Sequence, residues 1–159
     1  MEVKSRHHLR SDAIDDICAH LKEHFGIDLT GDAFEQVEFE DDDTMLVLID
    51  GEPLVFFVEE EAAPTVRGAN AFPPTKRVVT VDAGAVSFVS DGADVMRPGI
   101  VDADGTIEAN DLVVIEEETH GKALAIGRAR VAGDDLTGDS GKVVDTIHHV
   151  SDDLYAFTP

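Results

Sequence analysis

The apolar residues of this chain come in short runs, none of which is long enough for a membrane helix. The longest occupy residues 45–49 and 54–58, whereas a membrane span needs roughly 18 apolar residues. Asp50-Gly51-Glu52-Pro53 separates these two runs. Asp-Gly between two strand-sized apolar runs is a strong β-hairpin signal. We therefore predict a hairpin at this point of the chain.

Residues 11–25 have the period of an amphipathic helix. Its apolar positions recur mostly at spacings of three and four, at Ile14, Ile17, Cys18, Leu21 and Phe25. Ser11 is expected to cap the start of the helix, and Gly26 to end it. Cys18 lies on the apolar face, so we interpret it as a core residue rather than a nucleophile. It is the one cysteine of the chain, so no intrachain disulfide can form.

The segment after the hairpin is predicted to leave the sheet. Glu59, Glu60 and Glu61 should end it in solvent. Residues 62–75 contain three prolines and should be ordered but irregular. We place a domain boundary near residues 74–78. The prediction is thus a small α/β N-terminal domain over residues 1–75 and a second domain over residues 76–159.

The second half of the chain is rich in short strand-like segments. Asp82 is expected to cap a short helix that stops near Gly92. Strands are predicted over residues 77–81, 93–96, 111–116, 123–131, 142–150 and 154–157. Several short strands with one helix indicate a small, partly open β-barrel. The fold class of the whole chain is therefore α+β.

The net charge of −22 is spread evenly along the chain. Residues 1–79 hold 18 acidic and 7 basic residues, and residues 80–159 hold 16 and 5, so each half has a net charge of −11. A binding tail would concentrate the charge instead. We interpret the composition as adaptation to molar salt, where a Debye length of about 3 Å screens self-repulsion. An acidic protein that mimics or repels nucleic acid is the alternative.

The N-terminus leads into no apolar segment of the kind found in secretory signals. With a single cysteine and no membrane span, the expected location is the cytoplasm.

Several short motifs of the second half occur in an order that is typical of one known domain. The opening matches are VDAGAVSFV at residues 81–89 and GADVMRPGI at 92–100. Later matches follow in the same order: DLVVI at 111–115, GKALAIG at 121–127, GKVV at 141–144, IHH at 147–149 and DDLY at 152–155. Together these motifs resemble a PUA domain, the module named after pseudouridine synthase and archaeosine transglycosylase. The resemblance implies a pseudo-barrel of about six strands with a short helix. It also implies binding to structured RNA.

The first half contains two short motifs ahead of the proline-containing link between the halves. The motifs are Gly51-Glu52-Pro53-Leu54 and Pro64-Thr65-Val66-Arg67. With the link, they give the first half a resemblance to the malignant T-cell-amplified sequence protein and its archaeal relatives. It implies a pre-PUA domain joined to a PUA domain. The implied role is non-catalytic and translation-associated, with tRNA or small-subunit ribosomal RNA as the partner. A ribosomal or density-regulated-like protein partner is also implied, whereas no membrane and no DNA are expected.

Matched to the PUA pattern, an RNA groove would be lined by Gly92, Ala93, Asp94, Val95, Arg97 and Pro98. A glycine lets a phosphate or ribose approach backbone N–H groups. An arginine offers a planar fork to a phosphate or stacks on a base. Val95 and Met96 could support a terminal base by apolar contact. The alternative interpretation is that Gly92 only stops the helix, Met96 is a core residue and Pro98-Gly99 only forms a turn.

Lys76 and Arg77, at the junction of the two halves, are further RNA-binding candidates, although each could instead pair with an acidic neighbour. Because counterion release contributes little in molar salt, the groove should bind by shape, stacking and hydrogen bonds. We expect it to be neutral or positive within a negative surface.

No catalytic residue, cofactor or metal site is predicted. His148 and His149 are neighbours on a predicted strand and should point to opposite faces, so they would not share a metal. His20 and His24 could share a helix face but have no third ligand. Two other functions stay open: an RNA-binding subunit of a tRNA-modifying enzyme, and a protein-interaction adaptor on a PUA scaffold.

Overall fold

The computed structural model describes residues 1–159, which form two sheets and four α-helices. The first sheet is an antiparallel meander in chain order, made of β1 Val3–His8, β2 Phe34–Phe39, β3 Met45–Ile49, β4 Glu52–Val58 and β5 Glu61–Pro64. Helix α1, Ser11–Phe25, connects β1 to β2, and helix α2, Val66–Ala71, follows β5.

The second sheet is a nearly closed pseudo-barrel of six strands, as the resemblance predicted. Its strands are β6 Val78–Val81, β7 Val95–Met96, β8 Ile100–Ala103, β9 Leu112–Glu117, β10 Ala123–Ala129 and β11 Lys142–His149. They lie in the order β7-β11-β10-β9-β6-β8, and β6 runs parallel to β9. Helix α3, Val86–Ser90, lies between β6 and β7, and helix α4, Asp153–Ala156, follows β11.

The predicted hairpin is confirmed. Asp50 and Gly51 have φ angles of 51° and 85° between β3 and β4. Two positive φ values match the right-handed twist of the paired strands, and Asp-Gly tolerates them well. The Asp50 carboxylate also accepts hydrogen bonds from the N–H groups of Asp32 (3.0 Å) and Ala33 (2.8 Å). The turn residue thereby holds the chain that enters β2.

Helix α1 has the predicted bounds, but Ser11 is not its cap. Arg10 occupies the cap position without a side-chain hydrogen bond, and Ser11 is the first helical residue. Gly26 ends the helix as predicted, with a φ of 64° and an N–H bond to the carbonyl of Lys22 (3.1 Å). Burial raises the pKa of the Cys18 thiol, and the neighbouring Asp15 carboxylate adds to this. The reactive thiolate is therefore disfavoured.

Residues 59–71 are more regular than predicted. Glu59 and Glu60 form a second tight turn, with φ angles of 48° and 71°, and Glu61 begins β5 instead of ending the sheet. Thr65 then caps α2 by accepting a hydrogen bond from the Gly68 N–H (3.0 Å). The prediction of an irregular segment was wrong because two acidic residues in a turn and a threonine cap organise it.

Two further differences concern strands. Residues 154–157 were predicted to be a strand, but α4 occupies Asp153–Ala156 because Asp152 caps it through the Tyr155 N–H (2.8 Å). Strands β1 and β8, at the edges of the two sheets, were not predicted. β1 is largely exposed and has no apolar alternation to reveal it.

Helix α2 joins the two sheets. The Val66 N–H donates to the Nε2 atom of His148 on β11 (3.1 Å), and His148 is only 2 % exposed. The Arg67 guanidinium donates to the Tyr155 carbonyl (2.9 Å) and stacks over the Tyr155 ring. Asn70 accepts from the Ala123 N–H (2.9 Å). These bonds tie one short helix to three elements of the barrel.

The two sheets also share one apolar core. A cluster of 23 buried residues combines the inner faces of the first sheet and α1 with residues of the barrel, among them Leu112, Val114, Ala123, Ile126 and Leu154. Phe39 contacts Phe157 edge-on, with ring centroids 5.1 Å apart. The barrel therefore packs on the first sheet through side chains from β9, β10 and the C-terminal segment.

Replacing His148 with Phe tests this junction. Phenylalanine keeps a ring of similar size but leaves the Val66 N–H without its acceptor. An unsatisfied buried polar group costs about 1–3 kcal/mol, so we expect a loss of that size in the free energy of unfolding, measured in urea at high salt. The control is His120→Phe, at a position 73 % exposed, where the change should stay within about 0.5 kcal/mol. Equal losses in both variants would contradict the role given to His148.

Asp152 makes the stability of this junction depend on pH. Burial acts to raise the pKa of Asp152, but hydrogen bonds from His148 and from the N–H groups of His149 and Tyr155 outweigh it and hold that pKa below its usual value. A carboxyl whose pKa is lower in the folded state stabilises it above the unfolded pKa of about 3.9. This stabilisation is lost as the pH falls through the folded value.

We therefore expect the free energy of unfolding of Asp152→Asn to fall less steeply than that of the wild type as the pH is lowered. Asparagine can still cap α4, so the neutral-pH fold should persist. The measurement is the free energy of unfolding of both proteins between neutral pH and about pH 3. The difference between them should shrink as the pH falls below about 4; a difference that stays constant with pH would exclude a contribution from ionised Asp152.

Candidate nucleic-acid interface

A groove of ≈ 770 Å³ runs along α3 and the loop that follows it, on the outside of the barrel. Its lining residues are Asp82, Gly84, Ala85, Phe88, Val89, Gly92, Ala93, Asp94, Val95, Met96, Pro98, Gly99 and Lys142. Asp82 builds one end, because its carboxylate accepts from the Ala85 N–H (3.0 Å) and so starts the helical turn. Five of the residues proposed from the PUA pattern lie together here: Gly92, Ala93, Asp94, Val95 and Pro98.

Gly92 has a structural reason to be glycine. Its φ is 94°, and a Cβ atom at this position would lie 2.6 Å from Nε2 of His149. The His149 ring therefore supports the loop from behind, and its Nδ1 atom lies 3.1 Å from the Ser90 carbonyl and 2.7 Å from that of Val150. The Gly92 N–H itself donates to the Val89 carbonyl (3.0 Å). This N–H ends the helix and is not free for a phosphate.

The charged side chains of the groove are mostly engaged with the protein. Asp94 accepts from the Thr146 N–H (2.8 Å) and lies 3.4 Å from the Lys142 ammonium. Lys142 is the one basic residue in the lining, against the two carboxylates of Asp82 and Asp94. The lining thus has a formal charge of −1 and does not form the neutral or positive groove that we expected from the sequence.

Arg97 lies outside the groove lining. Its Nε atom donates to the Asp135 carbonyl (2.8 Å), and its Nη1 atom donates to the Ser140 carbonyl (3.0 Å). Both acceptors belong to the loop between β10 and β11. We expected the Arg97 guanidinium to bind a phosphate, but in the structure it holds this loop instead.

Lys76 and Arg77 lie at the junction of the two sheets. The Lys76 ammonium donates to the Glu23 carbonyl at the end of α1 (3.1 Å). The Arg77 side chain is 13 % exposed and pairs with Glu61 (3.1 Å) and Asp111 (3.3 Å). It binds elements of both halves, so the structure supports the alternative that Arg77 pairs with acidic neighbours. Neither residue lines the groove.

The groove presents two exposed apolar side chains: Met96, which we expected to support a base, and Phe88, which we did not propose. The exposure of Met96 contradicts the alternative that it is a core residue. Phe88 is 67 % exposed and Met96 is 48 % exposed, and both line the groove. Val89, the neighbour of Phe88, is buried, so α3 turns Phe88 outwards. An exposed aromatic ring beside a concave surface is a suitable platform for an unstacked base. The signal that could have identified Phe88 in the sequence was an apolar residue at a position on the outer side of a short helix.

Comparison with known proteins agrees with this architecture. Residues 77–150 match the PUA domain, and residues 5–68 match a domain of unknown function, DUF1947. An uncharacterized protein of Methanocaldococcus jannaschii is 38 % identical over 73 % of this chain and 72 % of its own length. Translation machinery-associated protein 20 of Saccharomyces cerevisiae is 33 % identical over 74 % of this chain and 69 % of its own length.

The chain belongs to the family of translation machinery-associated protein 20 and malignant T-cell-amplified sequence 1. The crystal structure of a hypothetical protein from Pyrococcus horikoshii has a TM-score of 0.86 and 33 % identity to it, and covers 98 % of this chain and 100 % of its own. A conserved PUA domain protein from Thermoplasma acidophilum has a TM-score of 0.85 and 28 % identity, with the same coverage. Both halves of the chain thus follow the architecture of this family.

The histidine and acidic side chains of the chain do not gather into a metal site. No group of three or more histidine, cysteine, aspartate or glutamate side chains is arranged to hold a metal ion. His148 is buried while His149 is only partly so, as expected for neighbours on a strand. None of the helices combines the length and the apolar character that crossing a bilayer requires.

Gly92→Ala tests how the groove of this family member is built. Alanine would have to adopt a positive φ and would also meet the His149 ring. Gly121→Ala is a matched control, because Gly121 has a φ of 68° and a Cβ atom added there would have no other atom within 4 Å. The control should lose about 1–2 kcal/mol of unfolding free energy from backbone strain alone.

Gly92→Ala should lose about 1–3 kcal/mol more than the control, because the methyl group overlaps a packed ring. Urea unfolding at high salt measures both losses. If the two variants lose the same amount, His149 does not support the loop in the way described.

Proposed function

We propose that this chain is an RNA-binding protein of the translation apparatus that holds RNA in the groove beside α3. Family membership supports the proposal, since its relatives include a translation machinery-associated protein. The observation on which it depends most is the pair of exposed apolar side chains, Phe88 and Met96, in a PUA groove. Exposed apolar side chains that lie together in one concave surface are typical of a ligand-binding groove.

In this proposal the RNA binds by shape and stacking rather than by charge. A base stacks on Phe88 and contacts Met96, while the backbone of Gly92, Ala93 and Pro98 forms the groove wall. Asp94 keeps Lys142 beside the groove, where its ammonium can meet one phosphate. Arg97 contributes by holding the neighbouring loop. Lys76 and Arg77, bound into the junction, take no part.

The RNA in this proposal is tRNA or small-subunit ribosomal RNA, and the protein acts in the cytoplasm without catalysis of its own. A ribosomal protein or a density-regulated-like chain is the protein partner that the family suggests. The acidic surface fits a protein that works in molar salt, where the attraction between lysine and phosphate is strongly screened.

RNA crosslinking with sequencing, in a high-salt lysate, tests the proposal. Wild-type protein should enrich small-subunit ribosomal RNA or tRNA, and Phe88→Ala should weaken binding to the recovered RNA by about 1–3 kcal/mol, the value of one stacked base. Val101→Ala is the control, since Val101 is 48 % exposed and lies outside the groove. That variant should bind like the wild type.

Two other results would point to a different function. Enrichment of many tRNAs together with a co-purifying modification enzyme would indicate an RNA-binding subunit of that enzyme. An absence of RNA above background would contradict the proposal and leave a protein adaptor on a PUA scaffold.

A further inference from the structure

A second concave surface lies on the first sheet, between the start of α1 and strand β4. We call it the α1 furrow. Leu9, Ala13, Ile17, Phe57 and Ala62 form its apolar floor, and its volume is ≈ 330 Å³. Beyond Phe57 and Glu60 it continues into a hollow of ≈ 480 Å³ that contains Met45. The two parts share Phe57 and Glu60, so they are adjacent on the surface.

The furrow exists because α1 covers only part of one sheet face. The buried side of α1 is built from Ile17, Leu21 and Phe25, so its start leaves the neighbouring sheet residues partly uncovered. Phe57 pairs with Met45 on β3 and with Ala62 on β5, so these three side chains lie on the same face. Met45 and Phe57 remain only partly buried.

The barrel packs on the opposite face of this sheet. Phe56, the neighbour of Phe57, contacts the His148 ring with centroids 5.3 Å apart. Phe39 on the same opposite face contacts Phe157. The α1 furrow therefore lies on the face that the barrel does not use, and its occupation would leave the groove beside α3 free.

The formally charged side chains that line the furrow are all acidic, and the partly buried His20 lies among them. Asp16, Asp43, Glu59 and Glu60 line it, and no lysine or arginine does. Glu59 lies 3.9 Å from Arg128, whereas the other three carboxylates make no ion pair. An occupant of this surface must therefore bring both apolar side chains and positive charge.

We propose that the α1 furrow docks a cationic amphipathic segment of a partner protein. Its apolar side chains would lie against Phe57 and Met45, and its lysines or arginines would meet Asp16, Asp43 and Glu60. A helix laid with its apolar face in a hydrophobic groove is a common form of peptide recognition. RNA would bring phosphates to four carboxylates, and a second copy of this chain would bring a net charge of −22. Charge complementarity therefore selects a basic protein segment.

Fluorescence anisotropy with a labelled amphipathic leucine/lysine helical peptide tests the proposal in molar KCl. The Debye length is then about 3 Å, so the general attraction between a basic peptide and an acidic protein is screened. Only ion pairs in direct contact and the burial of apolar side chains can still hold the peptide. We expect saturable binding by the full-length protein. Met45→Glu, and separately Asp16→Lys with Glu60→Lys, should each weaken it at least about tenfold.

The matched controls are Val101→Glu, an exposed apolar position on β8, and Asp139→Lys, an exposed carboxylate in a distant loop. Both should bind the peptide like the wild type, and a leucine/glutamate peptide should not bind. Circular dichroism confirms that each variant is folded. No binding by the wild type, or equal loss in the control variants, would overturn the proposal. Self-association abolished by Met45→Glu would also overturn it, since a second copy would then occupy the furrow.

Discussion

The hydrogen bond from the Val66 N–H to His148 is the buried polar contact at the centre of the junction between the two halves of this protein. It requires a neutral imidazole whose Nε2 atom accepts, so the Nδ1 atom carries the proton and donates it to Asp152, 2.8 Å away. Asp152 in turn caps α4 and accepts from the His149 N–H. His149 supports Gly92 in the groove. A continuous set of contacts thus runs from α2 to the groove.

Elements with a strong local signal could be predicted from the sequence, whereas elements that depend on contacts between the two halves could not. Helix α1 and the Asp50-Gly51 hairpin have strong local signals, an apolar period and a turn dipeptide, and both were predicted with the right type and place. Helices α2 and α4 are only six and four residues long, and each depends on one capping side chain and on contacts with the other half. Short elements of this kind have too few residues for periodicity to reveal them.

The same reasoning applies to the candidate site. The course of the backbone around Gly92 followed from the PUA pattern, and five of the residues proposed on that basis line one groove. The PUA pattern did not predict the directions in which the side chains point. Arg97 turns to the carbonyls of Asp135 and Ser140, 38 and 43 residues away in sequence. Phe88 turns to solvent because Val89 is the residue that packs inwards. Such choices depend on tertiary neighbours that no local pattern contains.

The groove has one lysine and an exposed aromatic ring, so RNA binding there should depend on stacking and shape. The most direct test is the affinity of wild-type protein for the crosslinked RNA as a function of KCl concentration. Each phosphate contact contributes a slope of roughly −0.7 to −0.9 to log K against log salt. We expect a slope of about −1 or shallower, from Lys142 alone. A slope several times steeper would show that a basic surface elsewhere binds the RNA and would contradict binding by stacking in this groove.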